Sequence, residues 1–230
     1  MNTFTLLMYA CAILVPVATV LSFAIPYFRK NHLPAKVACS VLFVLTAVFA
    51  SLSYGSFSSY SILMTSALFL GLLGDFFLDW KEGKTFPVGV VFFTLCHLVY
   101  IGNFILNRTP PFGNYIKYFV AIFLGLCVIS AVHIAVNKIK FIGKNKFLIP
   151  YSITLMISFT VAVTRGIAEY LSGNKSCGIC LIAAGTLFVV SDGCLAALMF
   201  GKPLLRHTDV LVACTYFPAQ TLFALSINFQ

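Results

Sequence analysis

Eight runs of apolar residues, at about 4–27, 36–54, 59–79, 87–106, 115–136, 147–171, 178–200 and 209–228, fill almost all of the 230-residue chain. An α-helix needs about 20 apolar residues to cross a hydrocarbon layer, and every run meets that length. Nothing in that layer can hydrogen-bond an open backbone, so only helices and closed barrels span it. Barrel strands are about 9–11 residues long and alternate with period two. These runs are longer and do not alternate, so the expected fold is an all-α membrane protein with eight transmembrane helices. With 60% hydrophobic and 9% charged residues, no stretch is left for a soluble domain, and residues 1–230 form a single polytopic membrane domain.

The connectors carry the loop-forming residues expected of them: Arg29-Lys30-Asn31, Pro110-Pro111, Gly143-Lys144-Asn145, Ser172-Gly173-Asn174 and Gly201-Lys202-Pro203. A net charge of +9 would suggest a nucleic-acid partner in a soluble protein. Here the basic residues cluster between apolar runs, so they report topology and no nucleic acid is implied. The odd-numbered connectors and their flanks hold Arg29, Lys30, Lys36, Lys81, Lys84, Lys138, Lys140, Lys144, Lys146, Lys202 and Arg206, whereas the even ones hold only Arg108, Lys117 and Lys175. The positive-inside rule then places the odd connectors in the cytoplasm and both termini on the far side. The N-terminus lacks a charged region before its first run, so that run is expected to be a retained helix. Short connectors favour a bacterial plasma membrane, and the same topology would serve an endoplasmic reticulum.

Polar groups inside the apolar runs are costly, so function is sought there. Asp75 lies roughly 9 Å in from the cytoplasmic end, and His97 and Asp192 roughly 15 Å in, at ~1.5 Å per residue. Asp75 and Asp79 stand four residues apart on one face of helix 3. On helix 4, Gly89, Phe93 and His97 follow one another at i+4, with Tyr100 on the same face. Helix 7 brings Gly185, Phe188, Asp192 and Ala196 to one stripe, with Ser191 beside it, and helix 8 adds Tyr216 and Gln220. A single Tyr or Gln at such a site serves equally well as a helix–helix hydrogen-bonding device. An unpaired carboxylate is harder to explain that way, which singles out Asp75 and Asp192. Asp79, beside Trp80, sits at the interface, where water can solvate it. Arg165 and Glu169 have the spacing of a structural ion pair near the outer end of helix 6, and Asp209 suits the first turn of helix 8.

Helices 3 and 7 each carry a small residue, Asp, two residues and Leu: Gly74-Asp75-Phe76-Phe77-Leu78 and Ser191-Asp192-Gly193-Cys194-Leu195. A four-plus-four parallel repeat would bring these two aspartates together. Two carboxyls close together in a low dielectric can share one proton, which gives an acid and a base. That pair suits hydrolysis through a cationic, oxocarbenium-like intermediate. Two other readings use the same residues. His97, Asp75 and Asp192 could ligate zinc, although hydrolytic zinc sites usually take more than one His. Midplane carboxylates in parallel repeats also suit a small proton-coupled transporter. The eight cysteines read as small buried hydrophobes, and the Cys177/Cys180 pair has no second pair or nearby His to make a zinc site. No cofactor or metal is implied.

Gly74-Asp75 with Leu78; Phe86, Gly89, Phe93, His97 and Tyr100; Ala184-Gly185, Leu187-Phe188, Ser191-Asp192, Leu195-Ala196 and Phe200; and Tyr216, Ala219-Gln220 and Ser226 together resemble the signature of the YhhN family of eight-helix membrane proteins. The resemblance covers almost the whole chain, and the family's characterised members are lysoplasmalogenases. It implies cleavage of the vinyl ether bond of a lysophospholipid substrate within the bilayer, yielding a fatty aldehyde and glycerophosphoethanolamine or glycerophosphocholine. On this reading Asp75 and Asp192 share the acid and base roles and His97 orients one of them. Tyr100, Ser191, Tyr216 and Gln220 hold the water or the headgroup. Asp79, which the family pattern does not match, is assigned to headgroup or water on local grounds. A lipid-binding relative without activity would carry the same signature.

Overall fold

In the computed structural model, which describes residues 2–25, 32–55, 57–80, 84–107, 111–140, 148–203 and 205–229, eight helices are long and apolar enough to cross a membrane. They are α1 (Thr3–Ala24), α2 (His32–Ser53), α3 (Ser59–Asp79), α4 (Phe86–Leu106), α5 (Ile116–Val136), α6 (Leu148–Leu171), α7 (Lys175–Phe200) and α8 (Thr208–Leu225). Single 3-10 turns precede α5 (Phe112–Tyr115) and follow α8 (Ser226–Phe229). Of the connector residues singled out above, Arg29, Lys30, Asn31, Lys81, Arg108, Pro110, Gly143, Lys144, Asn145 and Lys146 lie outside the described residues.

Capping residues set several starts. Asn2, Ser58 and Asn174 accept the backbone N–H of Thr5, Ser61 and Cys177, and Pro87 opens α4 where its missing N–H is not needed. The largest departure from the apolar runs is in α2. Its helix begins at His32, four residues before the apolar run, because Pro34 falls in the first turn and does not interrupt it. Lys36, the first residue of that run and counted above as a connector flank, lies one turn inside the helix.

Tertiary hydrogen bonds define the two ends of the bundle. Asn2 and Thr5 bond Ser53, Ser59 bonds Asn107, Tyr60 bonds Ser226, and Asn174 bonds Phe229. These bonds gather the start of α1 and the end of α8 at one end of the bundle. The opposite end holds Lys36, Asp79 and the start of α4. Helix α2 packs against α1, α3 and α8, while α6 packs against α4, α5 and α7. Only Leu126 of α5 is buried, so this helix lies at the edge of the bundle with its apolar side chains turned outward.

Glycines permit the closest crossings. A Cβ at Gly89 would stand 2.8 Å from the Leu78 backbone nitrogen, and one at Gly178 would stand 2.6 Å from the Gly166 carbonyl oxygen. The α3–α4 and α6–α7 pairs therefore meet backbone to backbone. The core between them contains Phe43, Met64, Leu68, Tyr100, Phe104, Leu181 and Phe223, into which the polar residues of four helices project.

Candidate active site

Asp75, one turn from the end of α3, is buried and accepts two hydroxyl donors on the same oxygen. Ser40 Oγ of α2 lies 2.6 Å from Oδ2, and the Tyr216 hydroxyl of α8 lies 2.8 Å from it. The Lys36 ammonium stands 3.6 Å from the other oxygen, Oδ1, and 3.1 Å from Asp79 Oδ2. Lys36 and Ser40 share a face of α2 at i, i+4, so one helix supplies both a cation and a hydroxyl to the carboxylate.

From Tyr216 a hydrogen-bonded chain runs inward. Gln220 Nε2 donates to the Tyr216 oxygen at 3.2 Å, and the Tyr100 hydroxyl donates to Gln220 Oε1 at 2.8 Å. Gln220 is fully buried, and both ends of its amide are engaged. Gly71 makes room for it, since a Cβ there would lie 3.0 Å from Gln220 Nε2. The Tyr216 ring is held by Phe43, Phe93 and Phe188 at centroid separations of 6.4, 6.1 and 5.5 Å.

The second carboxylate is less enclosed. Asp192 of α7 is half-buried and accepts a hydrogen bond at Oδ2 from the Tyr151 hydroxyl of α6. The rings of Tyr216, Phe188, His97 and Tyr151 pack one on the next, so the two aspartates are held at the two ends of one aromatic cluster. Each is fixed by a tyrosine from a different helix.

His97 stands beside this pair. Its ring lies edge-on to Phe188 at 4.9 Å and tilted to Tyr151 at 5.8 Å, and Nδ1 is 3.2 Å from Ser158 Oγ. Nε2 is buried and has no hydrogen-bond partner among the described residues. The ring borders a small cavity, otherwise mostly apolar, that Leu155, Phe159, Phe188 and Phe223 also line. His97 thus hydrogen-bonds neither aspartate and keeps one nitrogen for another group.

The remaining sequence candidates divide. Tyr100, Tyr216 and Gln220 join the Asp75 chain. Asp79 is exposed and paired with Lys36. Ser191 Oγ bonds the Val212 carbonyl at 3.1 Å and so links α7 to α8. Arg165 and Glu169 form their i, i+4 pair at 2.9 Å, buried near the opposite end of α6. Among the described residues no three His, Cys, Asp or Glu side chains are placed to hold a metal ion, and neither the His97/Asp75/Asp192 set nor Cys177/Cys180 forms such a group.

Four contributors were not singled out from sequence: Lys36, Ser40, Tyr151 and Ser158. Lys36 and Ser40 carry a usable signal in their spacing on one helix face. Tyr151 and Ser158 sit on α6, where nothing local distinguishes them from other small or aromatic residues. The site as a whole offers two carboxyls, each with a hydroxyl donor, one cation beside only one of them, and an imidazole facing a largely apolar space. That asymmetry equips it for proton transfer and for stabilising a positive charge.

The sequence profile of the YhhN family matches residues 31–227. Lysoplasmalogenase TMEM86A of Bos taurus is 27% identical over 218 residues, covering 88% of this chain and 81% of its own length. Lysoplasmalogenase TMEM86B of Sus scrofa is 26% identical over 205 residues, covering 89% of this chain and 79% of its own length. No solved structure matches the chain. The chain belongs to the YhhN family.

Proposed function

We propose that this protein hydrolyses the vinyl ether bond of a lysoplasmalogen within the bilayer, with Asp192 as the acid and Asp75 as the counter-charge. The relatives' names supply the substrate class. The observation that carries the mechanism is the unequal setting of the two carboxyls. Asp75 has two hydroxyl donors and a nearby ammonium, which suit the ionised form. Asp192 has one tyrosine donor and no ion-pair partner among the described residues, so it carries the transferable proton.

The chemistry then balances as follows. Asp192 delivers its proton to the outer carbon of the C=C bond, leaving an oxocarbenium ion at the carbon bound to the ether oxygen. Asp75 stabilises that cation. Water adds to the cationic carbon and releases a proton to the site, which restores the acid. The hemiacetal collapses: its hydroxyl gives up a proton and becomes the aldehyde carbonyl, the bond from that carbon to the glycerol oxygen breaks, and the glycerol oxygen takes up a proton, so that fatty aldehyde leaves with the glycerophospho-headgroup product. His97, with Nε2 unpartnered, holds the attacking water, and the Tyr100–Gln220–Tyr216 chain fixes Asp75 in place. Ser191 contributes by locking α7 against α8 so that Asp192 keeps its position.

The basic connectors favour an orientation with the Lys36 end at the cytoplasm and both termini on the other side, in a bacterial plasma membrane or an endoplasmic reticulum. The packing of α4 on α6 and of α8 on α2 supports a four-plus-four repeat. The direct test is aldehyde and fatty-acid release by purified protein in detergent, from 1-alkenyl and 1-acyl lysophospholipids side by side. Aldehyde from the first with little fatty acid from the second is expected. Equal cleavage of the ester, or no aldehyde, would overturn the reading.

A further inference from the structure

Lys36, Asp79 and Asp75 form a graded series from the edge of the bundle inward: side-chain exposure is 43% at Asp79, 23% at Lys36 and 2% at Asp75. Trp80 follows Asp79 and is itself partly exposed, with its ring against Phe76 and Phe77 at 5.2 and 5.6 Å. Trp residues of this kind mark the membrane–water interface, the depth of lipid headgroups. The Lys36–Asp79 ion pair is therefore at headgroup depth, and the reacting carboxylate Asp75 is one helical turn, ~6 Å, deeper on the same face of α3. In a lysophospholipid the three-carbon glycerol separates the phosphate from the ether oxygen by a comparable length.

We infer that the Lys36–Asp79 ion pair is a clamp for a zwitterionic phospho-amine headgroup; this rests on the lysoplasmalogen reading of the site. The phosphate takes Lys36, and the ammonium takes Asp79. The lipid's own pair of opposite charges thus replaces the protein's, and every charge keeps a partner. An ion pair open to water is weak and opens readily. The lysine ammonium has three donors, so it can donate to a phosphate oxygen while remaining beside Asp75. The exchange sets the depth of the glycerol and presents the vinyl ether to Asp75 and Asp192. A headgroup with phosphate but no amine would leave Asp79 facing added negative charge, and a lipid without phosphate would leave the original ion pair in place.

The test compares kcat/KM for 1-alkenyl-glycerophosphocholine, 1-alkenyl-glycerol phosphate and 1-alkenylglycerol in the wild type, Lys36→Gln, Lys36→Arg and Asp79→Asn proteins. Lys36→Gln should lower the preference for the choline lipid over the headless alkenylglycerol at least tenfold, mainly through KM, and Lys36→Arg should restore most of it. Asp79→Asn, at an exposed position, should erase the preference for the choline lipid over the bare phosphate. If Lys36→Gln lowers activity on choline lipid and alkenylglycerol by the same factor, Lys36 acts only through Asp75 and the clamp is wrong. Binding of the non-hydrolysable 1-alkyl-glycerophosphocholine separates this from failure of the hydrolase reading. Weaker binding to Lys36→Gln than to wild type supports the clamp even without turnover, and equal binding contradicts it.

Discussion

The Tyr216 hydroxyl donates to Asp75 Oδ2 at 2.8 Å, joining the last helix of the bundle to the third through the most buried carboxylate of the site. Tyr216 also accepts from Gln220, so its oxygen is a junction and not the end of a chain. Tyr216→Phe should leave the ring packing intact while removing a donor to Asp75 and the acceptor for a buried amide. A charge-assisted hydrogen bond of this kind contributes roughly 1.5–3 kcal/mol, so aldehyde release should fall about tenfold to a hundredfold. Thermal unfolding checks the structural part, where a loss of about 1 kcal/mol is expected. Unchanged activity would remove Tyr216 from the machinery.

Tyr151→Phe offers the corresponding test on Asp192. Because the Tyr151 hydroxyl donates to the Asp192 carboxyl, its loss should slow aldehyde release with little change in stability, since the residue is only half-buried. Activity and melting temperature measured on the same preparation separate the two effects. A variant that melts early yet keeps its specific activity would mark Tyr151 as a packing residue.

Three glycines permit a graded experiment. At Gly178 a Cβ would meet the Gly166 carbonyl oxygen at 2.6 Å, a backbone atom that cannot step aside, so Gly178→Ala should cost about 1–3 kcal/mol of stability. At Gly71 the added Cβ meets side chains alone, closest Gln220 Nε2 at 3.0 Å with Cys96 Sγ and the Tyr216 hydroxyl at 3.8 Å, so Gly71→Ala should act on the Tyr100–Gln220–Tyr216 chain and lower activity more than stability. At Gly102 nothing lies within 4 Å, and Gly102→Ala should be neutral or slightly stabilising. Thermal melts and aldehyde release on all three distinguish backbone contact from side-chain network.

The Arg165–Glu169 pair should behave as a buried structural pair. Removing one member of a buried ion pair typically costs about 3–5 kcal/mol, whereas replacing both together is far milder. Glu169→Gln should therefore be more damaging than Arg165→Met with Glu169→Gln in the same chain, as read by detergent-resistant folding. Equal damage from both would mean that each side chain has its own separate anchor.

Much of this architecture was legible from the residues. Spanning length alone gives eight helices, and Ser59–Asp79 coincides with its apolar run because Ser58 caps its start and Trp80 ends it. The burial cost of charge in lipid points to Asp75 and Asp192 without any knowledge of packing. Lys36 escaped because it reads from sequence as a basic flank of the first connector, and only the packing of α2 on α3 brings it to Asp75 and Asp79. Its long stem carries the ammonium back along the helix to Asp75 and Asp79. Tyr151 escaped for another reason. Its partnership with Asp192 depends on how α6 packs against α7, where Gly166 and Gly178 meet backbone to backbone, and the residues of α6 read alone do not reveal that pairing. The family resemblance implies that His97 orients one of the aspartates. Its ring instead takes Ser158, because aromatic contacts with Phe188 and Tyr151 fix its plane.

The central claim is that Asp75 and Asp192 act as one catalytic pair. Its most direct measurement is the rate of aldehyde release from a 1-alkenyl lysophospholipid by wild type, Asp75→Asn and Asp192→Asn, each checked for folding by its melting temperature. General acid–base participation is worth about a hundredfold to ten-thousandfold, so each variant should lose at least a hundredfold while remaining folded. Wild-type rates in both folded variants would contradict the pair.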